Sequence, residues 1–142
     1  MSILKAYYQH LAADTTVTGK LGTYNFGSGS VPAIFTVDPA PSDAETRILT
    51  IVVVTSTDKG TDRATRGGEV QLDLKVYGAK NDSAKVVEEL AYAVWSSMDR
   101  AVLTMSGFKV TYTMAKLPVD LADPEGYPGF LISCRSLLRE ES

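Results

Sequence analysis

The clearest structural signal in the chain is Glu69-Val70-Gln71-Leu72-Asp73-Leu74-Lys75-Val76-Tyr77. Polar and apolar side chains alternate from Glu69 to Val76, which is the period of a β-strand with one buried face and one polar face. The apolar members, which we predict to belong to the core, are Val70, Leu72, Leu74 and Val76. The opposite face is predicted to meet water or a polar partner, and it carries Gln71, Asp73 and Lys75.

The strand before it is apolar on both faces. It reads Ile48-Leu49-Thr50-Ile51-Val52-Val53-Val54-Thr55 and is β-branched almost throughout, which favours a strand. We predict that it pairs antiparallel with the alternating strand. An apolar run of this kind needs cover on both sides, either from helices of its own chain or from a neighbouring subunit.

Two amphipathic helices flank these strands. The first begins after Ser2 and has its apolar stripe at Ile3, Leu4, Tyr7, Tyr8 and Leu11; a short further turn follows through Val17 and Leu21. The second is capped within residues 81–83 and has its stripe at Val87, Leu90, Ala91, Val94 and Met98. Further strands are predicted over 33–37, 108–114 and 130–138. Residues 1–142 therefore form a single α+β domain of order α-β-β-β-α-β-β, with two helices packed on one face of an antiparallel sheet.

This architecture leaves part of the apolar strand uncovered. Helices on one face of the sheet cannot cover the second apolar side of residues 48–55, and an oligomer is the simplest remedy. Candidate subunit-interface residues on the strand faces are Ile51, Val53, Gln71, Asp73 and Lys75.

A long flexible loop is predicted over residues 56–68, where no aliphatic side chain is larger than that of Ala64. Loops of this length without their own structure are often functional or disordered. One interpretation is a solvated hairpin tip. The other is a segment that orders against a partner through Asp58, Lys59, Asp62, Arg63 and Arg66. Direct gripping of DNA is the weakest interpretation, because two anions dilute three cations.

The composition argues against chemistry. The chain has 142 residues, 14 Lys+Arg against 17 Asp+Glu, a net charge of −3, one His and one Cys. This excludes a disulfide framework and the common zinc sites, and it does not favour nucleic-acid binding. His10 is predicted to be a helix residue and Cys134 a core or interface residue. We predict no catalytic, metal or cofactor residues, no enzyme activity, no signal peptide and no membrane span.

Several segments together resemble a known family. They are Ser2-Ile3-Leu4-Lys5-Ala6-Tyr7-Tyr8, Ala33-Ile34-Phe35 with Ala40-Pro41, the alternating strand, and the helix that follows it. In this order they resemble the tail-completion or tail-terminator proteins of long-tailed bacteriophages and prophages. The chain departs from that pattern in the connection Gly27-Ser28-Gly29-Ser30 and in the loop from Asp58 to Gly68.

The resemblance implies a virion protein of the tail or neck, assembled in the host cytoplasm. It implies a hexameric ring that caps the tail tube and joins it to the head connector, with the tail tube protein and the head connector protein as partners. It also implies a lumen through which DNA passes without specific binding. Two alternatives stay open: another neck protein, for head completion or connection, and a small cytoplasmic α+β domain that binds a ligand between Trp95 and the sheet.

Overall fold

The structure is a computed structural model, and it describes residues 3–25, 29–36, 47–58, 67–79, 82–105, 107–121 and 128–140. The helices are α1 (Ile3–Ala13), α2 (Thr15–Thr18) and α3 (Ala84–Met98). The strands are β1 (Thr23–Asn25), β2 (Ser30–Pro32), β3 (Ile34–Phe35), β4 (Ile48–Asp58), β5 (Gly67–Tyr77), β6 (Thr104–Met105), β7 (Phe108–Ala115), β8 (Val119–Asp120) and β9 (Gly129–Glu140).

The main sheet has the strand order β3-β4-β5-β9-β7-β6, and β8 also pairs with β9. Its two longest pairings are antiparallel, β4 with β5 and β5 with β9. The α+β class and the predicted order of the major elements are confirmed. One pairing differs, because β3 runs parallel to β4. Twelve residues separate these two strands, which is enough for the crossover that a parallel pair needs.

Both long helices cover the same face of the sheet. α1 contacts β4, while α3 contacts β9, β5 and β7. The predicted stripe of α3 is fully buried, and it packs with Leu72, Leu74 and Ile132 in one core. α3 begins where the cap was predicted, since the Ser83 hydroxyl accepts a hydrogen bond from the Val86 amide at 3.4 Å.

A buried polar contact fastens α1 to this face. The Tyr7 hydroxyl lies 2.6 Å from the Ser136 hydroxyl, which lies 2.8 Å from the Thr113 hydroxyl. All three side chains are at most 1% exposed. Three elements far apart in sequence, α1, β9 and β7, therefore meet through hydroxyl groups that satisfy one another.

The strands β4 and β5 are longer than predicted. Ser56 pairs with Val70, Thr57 with Glu69 and Asp58 with Gly68, so both ends of the loop predicted over 56–68 are strand. Backbone hydrogen bonds form these pairings, so no large apolar side chain is needed. The lack of such side chains over residues 56–68 therefore did not mark where the strands end. The rest of that segment, with Lys59, Asp62, Arg63 and Arg66, lies outside the described residues.

Candidate functional site: the open face of the sheet

The face of the sheet opposite α1 and α3 is the candidate functional site, and we call it the open face. Leu72 and Cys134 lie opposite each other and are buried beneath the helices. Their neighbours in the register, Gln71 and Arg135, therefore point to the other side. The same register places on the open face Val52, Glu69, Asp73, Lys75, Leu131, Ser133, Leu137, Arg139, Lys109, Tyr112, Met114 and Val119.

The structure separates the candidate interface residues of the two strands. Ile51 lies opposite Leu74 under the helices and is fully buried, so its assignment as an interface residue is corrected to the core. Val53 lies opposite Leu72 on that same side and is 36% exposed. Gln71, Asp73 and Lys75 lie on the open face. Alternation alone could not place an all-apolar strand, because both of its faces look alike in sequence.

The chain itself covers one end of the face that was expected to be bare. Thr50, on the open side of β4, is 0% exposed. Phe35 lies beside it on β3, and the Tyr24 ring meets the Phe35 ring edge to face with centroids 5.2 Å apart. In the described part of the chain, the exposed side chains of the open face therefore lie on β5, β9, β7 and β8.

Polar side chains on β5 and β9 pair with each other across the open face. Arg135 donates to the Glu69 carboxylate at 3.1 Å, and the Ser133 hydroxyl lies 3.5 Å from Asp73. Arg135 keeps 43% of its side chain exposed. The first contact is diagonal and the second joins directly opposite residues, and together they hold the polar rows in place on an ordered surface.

Apolar side chains line the β7 side of the open face. Tyr112 is 38% exposed and Met114 54%, and they lie opposite Leu137 and Arg135 of β9. Val119 of β8 is 55% exposed and lies opposite Leu131. Exposed apolar side chains grouped in this way are typical of a docking surface.

A basic pair ends this row. Lys109 of β7 and Arg139 of β9 are exposed and lie directly opposite each other. Like charges in this position repel, so the pair favours an anionic partner. β5 begins beside this pair, since its first residue, Gly67, pairs with Arg139.

Four residues of this surface have no signal in the local sequence pattern: Tyr112, Met114, Lys109 and Arg139. Residues 108–114 alternate, which predicts a strand with Val110 and Tyr112 on one face. A bulge between Val110 and Tyr112 breaks that rule. Val110 packs against the core, whereas Tyr112 faces outward. An extra residue in a strand reverses the facing of every residue after it, and nothing local in the sequence marks it.

Cys134 and His10, the cysteine and the histidine of the chain, both make structural contacts. Cys134 is 2% exposed, and burial raises the pKa of its thiol to about 12, with the charges of Asp73 and Asp99 adding to the effect. This keeps the thiol protonated, and a protonated thiol is a poor nucleophile. The His10 ring lies 2.9 Å from the Ser97 carbonyl oxygen through Nε2. No cluster of three or more His, Cys, Asp or Glu side chains in the described ranges could hold a metal ion.

Trp95 has a structural position. Its indole Nε1 donates to the Ala115 carbonyl at 3.0 Å, and the side chain packs against the core. This hydrogen bond connects α3 to β7. It also satisfies Nε1, the one polar atom of the indole, inside the domain. In the described part of the chain, no helix has the length and apolar character needed to cross a membrane.

Comparison with known proteins gives the class. The family model described as tail completion protein gp17 matches residues 5–133. The chain belongs to this family. The predicted family is thereby confirmed, and this tail completion family member is a structural protein of phage tails and a component of the virion. Its membership in a structural family supports a non-enzymatic role.

A solved structure agrees with this assignment in fold. It is titled "Virion of native gene transfer agent (GTA) particle", and one of its chains matches with a TM-score of 0.69 and 16% sequence identity. The match covers 97% of this chain and 95% of that chain. Among curated proteins, no sequence matches.

Proposed function

We propose that this protein is a ring-forming tail terminator. Six copies close into a ring that caps the tail tube, stops its growth and joins it to the head connector. The observation that carries the proposal is the open face, where Tyr112, Met114 and Val119 remain exposed beside ordered charged residues. Among the described elements, α1 and α3 lie on the other side of the sheet, so they do not cover this surface.

Membership in the tail completion family supports a position in the tail. The structural similarity to a chain of a gene transfer agent particle supports a phage-like particle. Both long sides of β9 are already paired, by β5 and by β7 with β8. Assembly at the centre of the sheet therefore uses side chains on its open face, while strand addition is left to the edges.

The net negative charge of the chain is consistent with a ring through which DNA passes. Each chain carries −3, so six copies carry −18. An acidic ring repels the phosphate backbone, which lets DNA pass through the lumen without specific binding. We place the ring in the neck of the virion, after assembly in the host cytoplasm.

The segment from Asp58 to Gly68, which connects β4 and β5, is proposed to order against a partner on assembly. It carries Lys59, Asp62, Arg63 and Arg66 beyond Asp58, the last residue of β4. It ends next to the basic pair Lys109 and Arg139, because Gly67 pairs with Arg139. A tail tube or connector subunit is the proposed partner of this segment.

Mass measurement across a concentration series tests the ring. Six chains of 15.3 kDa give a species of about 92 kDa, which mass photometry separates from a monomer. Met114→Glu adds a charge to the open face and should abolish this species. Thr15→Glu adds the same charge at an exposed position in α2 and should leave it intact.

Binding to purified tail tubes and to purified connectors completes the test. We expect the unmodified protein to bind tube ends and Met114→Glu to fail. Binding to connectors alone would identify another neck protein instead. A strictly monomeric protein that binds neither particle would refute the proposal.

A further inference from the structure

A closed ring needs two different surfaces on each subunit, because each copy contacts one neighbour with one side and the next neighbour with another. The open face supplies one of them. We call its outer part, Lys109, Tyr112, Met114 and Arg139, the sheet patch. The second surface has to lie elsewhere on the domain, and it has to complement apolar and basic side chains.

The outer side of α3 has the matching character. Glu88 and Glu89 are exposed, and Tyr92 next to them is 44% exposed. These three residues, which we call the helix patch, lie opposite the buried stripe of α3. They combine two carboxylates with an aromatic ring beside the exposed Lys85 one turn earlier, which leaves this side of α3 acidic by one charge, whereas the sheet patch combines two cations with Tyr112 and Met114.

Tyr92 is held in place before any partner binds. Its ring meets the Trp95 ring edge to face, with centroids 6.3 Å apart and an interplanar angle of 75°. Trp95 is itself fixed by the hydrogen bond to the Ala115 carbonyl. An exposed aromatic that is already ordered loses little conformational freedom on binding, which favours its use as an anchor.

The spacing of charge and ring is similar on the two patches. Arg139 and Leu137, which lies opposite Tyr112, are two residues apart on a strand, a separation of about 6.6 Å. Glu88 and Tyr92 are four residues apart on a helix, about 6 Å. A strand row and a helix row with these spacings can place cations against carboxylates while the apolar groups meet.

The two patches lie on opposite sides of the domain. α3 packs on one face of β9, and Arg139 extends from the other face of the same strand. Contact between unlike patches continues from copy to copy in one direction, and this head-to-tail arrangement makes a ring when the rotation between neighbouring copies closes. Contact between two sheet patches would instead bring four cations together.

From these observations we infer that the sheet patch of one subunit binds the helix patch of the next. This inference rests on the proposed ring and specifies the second copy of this chain as the occupant of both surfaces. The two carboxylates of the helix patch neutralise the repulsion between Lys109 and Arg139, while Tyr92 packs against Tyr112 and Met114.

Charge reversal tests the pairing. The double variants Lys109→Glu/Arg139→Glu and Glu88→Lys/Glu89→Lys should each lose the ring, because each places like charges across every interface. The fourfold variant carrying all these changes should regain it. Far-ultraviolet circular dichroism and thermal melts of all three variants check that each domain is folded.

The possible outcomes separate this inference from the ring itself. If the unmodified chain stays monomeric, alone and on tail tubes, the ring proposal fails. If the unmodified chain forms the ring and folded Glu88→Lys/Glu89→Lys forms it equally well, only the inferred pairing is overturned. The pairing is also overturned if both double variants lose the ring and the folded fourfold variant does not regain it.

Discussion

Replacing Ser136 with alanine tests the polar contact that fastens α1 to the sheet. The Ser136 hydroxyl lies 2.6 Å from that of Tyr7 and 2.8 Å from that of Thr113, and all three residues are buried. Removing it leaves two buried hydroxyls without this partner. A buried polar group left unsatisfied costs about 1–3 kcal/mol, so Ser136→Ala should lower the free energy of unfolding by roughly 2–4 kcal/mol.

Tyr7→Phe provides the comparison within the same contact. It removes one hydroxyl and leaves the Ser136–Thr113 hydrogen bond in place, so we expect a smaller loss of about 0.5–1.5 kcal/mol. The double variant Tyr7→Phe/Ser136→Ala should cost less than the sum of the two single changes, because both act on one contact.

Urea denaturation followed by Trp95 fluorescence measures these differences, since Trp95 is the only tryptophan of the chain. All variants are compared at one protein concentration, because association would add to the apparent stability. The slope of the free energy of unfolding against urea concentration should be the same for all variants, which indicates that the native fold is kept. Equal losses for Ser136→Ala and Tyr7→Phe, or strictly additive losses, would refute the reasoning.

Further predictions concern pH and helix ends. Burial raises the pKa of Cys134 from 9.0 to about 12, so the unfolded chain loses this proton first. The stability present below pH 9 should then fall as the pH rises toward 12, and Cys134→Ala should flatten that fall in urea midpoints. Partial burial opposes ionisation of Asp82, but hydrogen bonds from the Ala79 amide and Arg47 lower its pKa below 3.8. Stability present above pH 3.8 should therefore decline as the pH falls below it, and less so in Asp82→Asn. Ser83→Ala removes the N-cap of α3 and should cost about 1 kcal/mol in thermal or urea unfolding. Arg100 has a φ of 62°, so Arg100→Gly should raise the melting temperature by relieving about 1 kcal/mol of strain.

Periodic segments allowed reliable prediction. The alternation from Val70 to Val76 correctly gave the core side of β5, and the stripe from Val87 to Met98 correctly gave the buried side of α3. These patterns are local, because the backbone geometry of one element fixes which side chains share a face. The resemblance to tail completion proteins rested on the same elements in the same order.

Strand faces were harder to predict where the pattern was uniform or interrupted. Ile51 and Val52 have equal hydrophobicity, yet Ile51 is in the core and Val52 faces the other side. Val110 and Tyr112 alternate as if they shared one face of β7, but the bulge between them places them on opposite faces of the sheet. Burial and bulges depend on the partner strand, which lies far away in the sequence.

The major elements, most of the core, the scarcity of reactive groups and the family were all predictable from the amino-acid sequence. Which side chains share the open face became visible only in the folded domain. The tertiary structure placed Lys109 opposite Arg139, thirty positions away, and set α3 on the far side of the same strand. The physical reason is that helices and strands follow from local periodicity, whereas a binding surface follows from strand register and from which face the helices cover.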